Sequence, residues 1–415
     1  MISRQGVGGE VPLPGEYEVV AVNDQDIRVK PIAGTGAGRP SFGDVAVIRT
    51  PSLQKPPDDR PLPTDEESLD QQSLEEQAEA GNVEAMNTLG WHYFQGIDGP
   101  RNYQSAFEWF TLAAERGNAR AQTNLGWMYQ QGLGVPRDYQ RALEWYMEAA
   151  NQGFPKAMNN IGWLYLNGLG VEKDRETARM WFRRAAEAKD EQGLTNLGYM
   201  AQEDGDTAQA AAHYKEAAAL GFAPAQNNLG ILYQNGEGVP QSYAQARAYY
   251  EQAAAQGHAG AQTNLGYLYQ TGLGIPRDAE KAAQFYSMAA EQKHPAALNN
   301  LGWLYSSGEG VEQDHRQALV YLNQSADLGE PTAMNTLGYL YENGHGVRQN
   351  YLRAAEYYHR AAMADDPDGL YNMGRFKEQG LGVVADRNEA IDLYRRAANQ
   401  GHQPAQKRLQ MMQAE

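Results

Sequence analysis

One phrase recurs along this chain at nearly constant spacing, and no other feature constrains the fold as strongly. "AMNNIGWLYLNGLGVEKD" at residues 157–174 returns as "AQNNLGILYQNGEGVPQS" at 225–242 and "ALNNLGWLYSSGEGVEQD" at 297–314. The glycine after its Leu, Ile or Met, here called the ruler glycine, stands at Gly90, Gly126, Gly162, Gly198, Gly230, Gly266, Gly302, Gly338 and Gly374. Successive ruler glycines are 36 residues apart, except for 32 residues after Gly198. Nine copies of one short unit predict a repeat array.

Each unit has the pattern of two helices. Met158, Ile161 and Tyr165 are spaced by three and four residues, which predicts a first helix from about six residues before the ruler glycine to five after it. Glycines at 168 and 170 then permit the positive φ of a helix end and tight turn. The second helix carries the paired alanines of each unit. Its predicted N-caps are Asp138, Asp174, Asp278, Asp314 and Asp386.

The ruler glycine lies in the middle of the predicted first helix. Glycine there costs roughly 1 kcal/mol relative to alanine. Its recurrence in all nine units predicts that a neighbouring helix passes too close for a β-carbon. Units of this kind cannot bury their apolar faces alone, so we expect them to stack into a solenoid.

The pattern A-x-x-x-L-G-x-x-Y-x-x-G-x-G-V, followed by A-x-x-W/Y and A-A-x-x-G, resembles the Sel-one-like repeat, a relative of the tetratricopeptide repeat. The resemblance covers about residues 81–402. It implies an all-α fold, a right-handed superhelical α/α solenoid of nine Sel-one-like repeats. The first unit departs from the pattern with "GIDGP" at 96–100, and the fourth lacks the glycine loop.

The remaining segments are expected to flank this array. Residues 1–50 contain "EYEVVAV", "DIRVKPI" and "DVAVIR", whose alternation predicts a small β appendage. Residues 51–66 are rich in proline and predict a semi-rigid linker. Residues 67–80 and 403–415 resemble half repeats, which predicts a capping helix before and after the nine repeats at 81–402.

Composition excludes several function classes. The net charge of −17 disfavours nucleic acid and anionic membrane surfaces, and the absence of cysteine excludes disulfides and zinc–thiolate sites. No run is long enough to span a membrane. The histidines form no metal-ligand motif, and His258, His294 and His402 share a turn position that suggests surface residues. We therefore expect no cofactor, no metal and no enzyme activity.

The first helices offer candidate partner contacts. In solenoids of the resembling type these helices line the concave face, and a tetratricopeptide asparagine at the matching position clamps ligand peptide. Asparagine both donates to and accepts from a peptide backbone, and Trp and Tyr are strong interface anchors. The predicted partner-binding residues are Trp91, Asn124, Trp127, Asn160, Trp163, Asn196, Tyr199, Asn228, Asn264, Tyr267, Asn300, Trp303 and Tyr339. Trp91, Trp127 and Trp163 form the strongest anchor patch.

Packing is the alternative interpretation of the same residues. An asparagine ladder could bond between adjacent helices, and Trp109, Trp145 and Trp181 on the second helices are expected in the core. Three kinds of function stay open. The chain could be a protein-binding solenoid, a scaffold or envelope adaptor (or mechanical spacer), or a hydrolase or cell-wall-modifying enzyme with a site in the groove.

The resemblance makes the binding interpretation more specific. It implies a bacterial protein, and the family includes immunity proteins that neutralise phospholipase-type toxins of type VI secretion. The expected partner is another protein, plausibly basic because the chain is acidic. The lack of cysteine suits an oxidising compartment such as the periplasm, reached with a signal segment that is absent here, but a cytoplasmic location is compatible too.

Overall fold

The computed structural model describes residues 17–22, 27–31, 71–97 and 99–414. Over these residues it contains twenty helices and one two-stranded sheet. Each repeat is a pair of helices, a first and a second. The first helices are α2 (Val83–Gln95), α4 (Ala119–Gln131), α6 (Pro155–Asn167), α8 (Glu191–Glu203), α10 (Ala223–Asn235), α12 (Ala259–Thr271), α14 (Pro295–Ser307), α16 (Pro331–Asn343) and α18 (Pro367–Gln379).

The second helices alternate with the first helices along the chain. They are α3 (Tyr103–Glu115), α5 (Tyr139–Asn151), α7 (Arg175–Glu187), α9 (Thr207–Ala219), α11 (Tyr243–Ala255), α13 (Ala279–Glu291), α15 (His315–Asp327), α17 (Tyr351–Met363) and α19 (Arg387–Asn399). Helices α1 (Gln71–Glu79) and α20 (Gln403–Ala414) lie at the two ends of this series. Consecutive helices contact each other from α1 to α13 and from α15 to α20, so the repeats form the predicted α/α solenoid.

The helices fall into two compact units. One contains α1 to α13 and α14 as far as Leu304, and the other contains α15 to α20. In the first unit the largest apolar cluster extends from Leu74 of α1 to Trp181 of α7. In the second, Tyr358, Phe376 and Tyr394 lie in a cluster that reaches α20.

Two short strands precede the helices. β1 (Tyr17–Val22) and β2 (Ile27–Pro31) pair antiparallel, with Val22 opposite Ile27 and Tyr17 opposite Pro31. They coincide with the first two alternating segments of the sequence. The expected third strand and the proline-rich segment at 51–66 lie outside the described residues.

The helix ends follow the sequence closely. Asp174 Oδ1 accepts the backbone N–H groups of Glu176 and Thr177 at the start of α7, and the other four predicted aspartates cap their helices in the same manner. At the end of α6, Gly168 and Gly170 adopt φ of 68° and 70°. The predicted caps and the predicted turn are therefore confirmed.

The expectation of surface histidines is wrong at His402, which is 7% exposed. Its Nδ1 accepts the Ala405 N–H at the start of α20, and its Nε2 lies 3.0 Å from Asp368 Oδ1. His258 likewise caps α12 by accepting the Ala261 N–H. His258 and His402 stand immediately before α12 and α20 and cap these helices, which explains their common place in the repeat.

Eight of the nine ruler glycines face an aromatic ring of their own repeat. The repeat of Gly302 has Leu322 at the position of the ring. A β-carbon at Gly230 would lie 2.6 Å from Tyr250 Cε1, and one at Gly126 would lie 2.8 Å from the Tyr146 ring. The predicted close approach is confirmed, and the same contact recurs at Gly90, Gly162, Gly198, Gly266, Gly338 and Gly374. The buried hydroxyls of Tyr146 and Tyr250 each donate to a glutamine four residues after the glycine, at 2.8 and 2.9 Å.

The short fourth repeat replaces its missing loop with ion pairs. In other repeats the second glycine of the loop packs against the start of the preceding second helix, as Gly170 does against Tyr139. At the start of α7, carboxylates take that place. Arg175 contacts Glu203 and Asp204 at 2.8 Å each, and Arg179 contacts Asp204 at 2.8 Å. The four-residue deletion is thereby accommodated without interrupting the series of helices.

We predict that Gly230→Ala destabilises the protein, although alanine favours a helix by about 1 kcal/mol. The added methyl group overlaps the Tyr250 ring, and overpacking of this kind costs about 1–3 kcal/mol. Urea unfolding followed by circular dichroism measures the change. Tyr250→Leu should rescue part of the loss in the double variant. A Gly230→Ala protein as stable as wild type would contradict this account of the glycine.

We predict that the free energy of unfolding falls as the pH drops from about 6.5 to about 4, because buried His258 resists protonation in this range. Burial lowers the pKa of His258 to about 4. The unfolded chain, with a histidine pKa of about 6.5, therefore binds more protons between these values, which costs about 2 kcal/mol at pH 5. His258→Asn keeps the cap, because Asn118 caps α4 at the same position, and removes this loss.

Comparison of the pH dependence of stability in wild type and in His258→Asn separates the contribution of His258 from that of the other titrating groups. Burial raises the pKa of Asp190 to about 6, an effect that stabilises the folded chain as pH falls and is shared by both proteins. The urea midpoint should drop more for wild type between pH 7 and pH 5. Equal drops would show that His258 does not carry the dependence.

Candidate partner-binding face

One side of each first helix points away from the second helix of its repeat. The residues two before, one after and five after the ruler glycine are three and four positions apart, so they share a side. In eight of the nine repeats the ruler glycine itself faces the second helix. We call the side formed by these three positions the first-helix face, and it includes every predicted partner-binding residue.

The predicted asparagines are all buried. Asn124, Asn160, Asn196, Asn228, Asn264 and Asn300 are at most 7% exposed. Asn124, Asn196 and Asn264 donate their side-chain N–H to asparagines of the preceding first helix, namely to the Oδ1 atoms of Asn87, Asn159 and Asn227 at 3.1, 2.9 and 3.0 Å. Asn372 and Asn335 form the same bond at 2.9 Å. The alternative interpretation of the sequence, in which asparagines bond between adjacent helices, predicts bonds of this kind.

The ladder is built in pairs of repeats. The acceptor asparagine lies three residues before the ruler glycine in the first, third, fifth and eighth repeats. In the second, fourth and sixth repeats that position holds Thr123, Thr195 and Thr263, whose hydroxyls donate to carbonyls of their own helices. The sequence reasoning missed these acceptors. The signal that could have revealed them is the alternation of Asn and Thr at this position.

The predicted aromatic residues divide into buried and accessible rings. Trp127 is 5% exposed and meets the Phe94 ring edge-on at 5.5 Å, so it belongs to the core. Trp91 stacks on Phe94 at 6.0 Å and keeps part of its surface exposed. The remaining predicted rings lie half-buried or exposed on successive helices, namely Trp163, Tyr199, Tyr267, Trp303 and Tyr339. Trp127 is therefore less accessible than Trp91 and Trp163, so these three residues do not form one exposed patch.

The second-helix tryptophans pack against the core. Trp181 is 6% exposed and belongs to the main apolar cluster, with the Arg184 guanidinium 4.7 Å from its ring centre. Trp109 and Trp145 are half-buried against the same cluster. The prediction that these tryptophans lie in the core is confirmed for Trp181. Trp109 and Trp145 pack against the same cluster but keep part of their surface exposed.

Charge is distributed unevenly over the first helices. Helices α10, α12 and α14 contain no Asp, Glu, Lys or Arg. At the other extreme, Arg375 of α18 takes the place of a ring and pairs with both carboxylate oxygens of Glu342 at 2.7 and 2.6 Å. The charges of the three central repeats lie in the loops and on the second helices. A basic partner would therefore meet little opposite charge on the central first helices.

The described residues offer no evident reaction centre. Among them, no group of three His, Asp or Glu side chains is placed to share a metal ion. Asp190, with its raised pKa, is a helix cap whose Oδ1 accepts the Gly193 N–H at 2.7 Å. Within the same described stretches, no helix has the length and apolar character needed to cross a bilayer.

Paired helices in series, with rings on one accessible side, define a helical-repeat solenoid of the protein-interaction class. The Sel1 repeat model matches nine consecutive segments, at residues 83–118, 119–154, 155–190, 192–222, 223–258, 259–294, 295–330, 331–366 and 367–402. The chain belongs to the Sel1 repeat family. The resemblance stated from the sequence, including the count of nine repeats, is confirmed.

Several solved structures are similar to this chain. A protective antigen of uropathogenic Escherichia coli with an SLR fold is 34% identical, with a TM-score of 0.58, covering 82% of this chain and 73% of that chain. A Sel1 repeat protein from Oxalobacter formigenes is 27% identical (TM-score 0.42), covering 82% and 90%. An immunity protein from Pseudomonas aeruginosa is 26% identical (TM-score 0.36), covering 48% and 76%. No curated protein matches the chain.

We predict that Asn264→Leu lowers the free energy of unfolding by about 1–3 kcal/mol, because it leaves the buried Asn227 Oδ1 without its donor. The double variant Asn227→Leu, Asn264→Leu should lose less than the two single variants together. Urea titration of the four proteins measures the coupling. Strict additivity would mean that the bond contributes nothing to holding neighbouring first helices together.

Proposed function

We propose that this chain is a non-catalytic binding solenoid that captures another protein through its first-helix face. The observation that carries the proposal is the series of accessible rings on that face, one from most repeats: Trp91, Trp163, Tyr199, Tyr267, Trp303 and Tyr339. Sel1 repeats mediate protein–protein interaction, and Trp and Tyr dominate the energetics of such interfaces.

The packing of the face favours recognition by a preformed surface. The rings are attached to helices whose glycines, caps and asparagine bonds hold them in place, so little ordering is required when a partner binds. Half-buried rings combine a fixed orientation with exposed area. The buried asparagines contribute on this view by spacing the helices, and any direct contact with a partner backbone stays a prediction.

Within this class we propose inhibition of a toxin, in the manner of an immunity protein, with a secreted phospholipase-type effector as the partner. A protein surface that covers the active site of an enzyme inhibits it and needs no chemistry of its own. The net charge of −17 would speed encounter with a basic effector by long-range attraction. An assembly scaffold or envelope adaptor would use the same face, and differs in that its partner is not toxic.

Affinity capture from the native organism tests the proposal. The bait is the full chain, compared with the variant Trp163→Ala, Tyr199→Ala and with a second-helix control, Trp145→Ala. We expect one protein to be retained by wild type and by the control, and to be lost from the first-helix variant. Each truncated interface ring should cost about 2 kcal/mol or more of binding free energy. Circular dichroism confirms that all three baits are folded.

The captured protein then separates toxin inhibition from scaffolding. Expressed alone, a toxin partner should arrest growth, and co-expression of this chain should restore it. A harmless partner would support the scaffold alternative. Retention of the partner by the first-helix variant at wild-type affinity would disprove the assignment of the face. Turnover of a lipid or cell-wall substrate by the purified chain alone would disprove the non-catalytic proposal.

A further inference from the structure

The glycine loop of the first repeat lacks a side chain that the other glycine loops carry. Three residues after the first loop glycine, seven repeats have a branched aliphatic residue, namely Val135, Val171, Val239, Ile275, Val311, Val347 and Val383. The first repeat has Gly99 at this position, inside its "GIDGP" segment. All seven aliphatic residues are half-buried, and Val135 and Ile275 pack against apolar clusters of the helices. This residue therefore packs its loop against the helices, and the first repeat lacks that contact.

The backbone of the first loop nevertheless follows the same course as the others. A β-carbon at Gly96 would lie 2.9 Å from the Gly99 carbonyl oxygen, and one at Gly344 would lie 3.4 Å from the Val347 carbonyl oxygen. In both loops the N-cap residue of the next helix donates its backbone N–H to a first-helix carbonyl at 2.8 Å. Gly99 is therefore the structural equivalent of these aliphatic residues, without their side chain.

A cleft lies beside Gly99, and we call it the Gly99 cleft. Apart from the chain neighbours of Gly99, no described residue has an atom within 4 Å of a β-carbon built at this position. The cleft has a volume of about 260 Å³ and is lined by His92, Tyr93, Gly96, Gly99, Pro100, Arg101 and Asn102. None of these residues is at a position that defines the first-helix face. The molecule therefore has a second candidate contact surface, at the end of α2.

The other repeats indicate which side chain suits the Gly99 cleft. Tyr93 and Pro100 line it, and the second repeat has the same residue types, Tyr129 and Pro136, around the aliphatic residue of its loop. A branched aliphatic side chain removes apolar surface from water and needs no hydrogen-bond partner. A hydroxyl or amide in its place would lose hydrogen bonds to water. The chemistry that fills the other seven loops is therefore the chemistry that this cleft can accept.

We propose that the Gly99 cleft receives a Val or Ile side chain of a partner protein, which supplies the contact that the other loops make internally. The cleft is separate from the first-helix face, so the inference does not rest on the proposed function. Two copies of a chain with a net charge of −17 repel each other, which favours a different protein as the source. One side chain gives little affinity alone, and its contribution is largest for a segment already held nearby at high local concentration.

Disulfide tethering reproduces this situation, and the absence of cysteine from the chain makes the attachment specific. Arg101→Cys places one thiol at the rim of the cleft in the full-length protein. The ninth repeat has Ala385 at this position, so a small residue is compatible with the loop. The probes are capped peptides with a cysteine, one to three glycines and then Val, Thr or Ala. After equilibration with 2-mercaptoethanol, mass spectrometry measures the fraction of protein joined to each peptide.

The Val peptide should be retained about tenfold better than the Thr peptide of the same shape, and about tenfold better than the smaller Ala peptide. Arg137→Cys is the matched control, because the loop of the second repeat already contains Val135, and it should retain the three peptides equally. Adding Gly99→Val to Arg101→Cys should abolish the preference. Gly99 has no positive φ, so valine is compatible with its backbone. Circular dichroism establishes that each variant is folded.

The outcomes decide between the possible occupants. Equal retention of the Val and Thr peptides by the Arg101→Cys protein would overturn the proposal, whether the cleft takes no side chain or another segment of this chain already fills it. The same Val preference in the Arg137→Cys protein would also overturn it. Light scattering tests a second copy, because a wild-type dimer that Gly99→Val converts to a monomer would show self-association and overturn the proposal. Capture of the native partner tests the first-helix face alone, so failure of one experiment does not decide the other.

Discussion

The ring over the ruler glycine is the contact on which the rest of the structure depends. A buried Tyr or Phe of the second helix occupies the space that a β-carbon would need, so the two helices of a repeat approach closely at one fixed point. The ring hydroxyl, where present, is satisfied by a side chain one turn further along the first helix, as in Tyr286 with Gln270 at 2.7 Å. In the eight repeats that have this ring, the contact fixes where the two helices meet, and where the ring is a tyrosine its hydroxyl is satisfied at the same position.

The connection between repeats relies on a different interaction. Side-chain amides of neighbouring first helices bond to each other in the dry interior, where an unpaired amide is costly. The bonds join repeats in pairs, since a threonine interrupts the acceptor position in the second, fourth and sixth repeats. The solenoid therefore combines a similar contact within eight of its nine repeats with an alternating contact between repeats, and its cohesion along the chain is not uniform.

Most of the fold could be predicted from the sequence because its determinants are local and repeated nine times. The five aspartate caps, the glycine turn at 168–170 and the close approach at the ruler glycine each follow from one residue type at one position. The site was harder to predict. Trp127 is buried where Phe94 of the preceding repeat packs edge-on against it. Trp163 is half-buried, and the position equivalent to Phe94 in the repeat before it holds Gln130. The repeat pattern does not encode that neighbour, so identical positions in consecutive repeats differ in accessibility.

The separation of charge from the accessible rings has a consequence for binding. Attraction from a charge of −17 acts over a Debye length of about 8 Å and speeds encounter, while the affinity of a docked complex depends on what the contact surface desolvates. On α10, α12 and α14 that surface carries rings and amides without charge, so rapid association and a salt-resistant bound state are compatible in one molecule. At α18 the Arg375 and Glu342 pair satisfies its own charges internally. If the first-helix face binds a partner as proposed, long-range attraction and short-range selectivity would reside on different helices, and each could change during evolution without loss of the other.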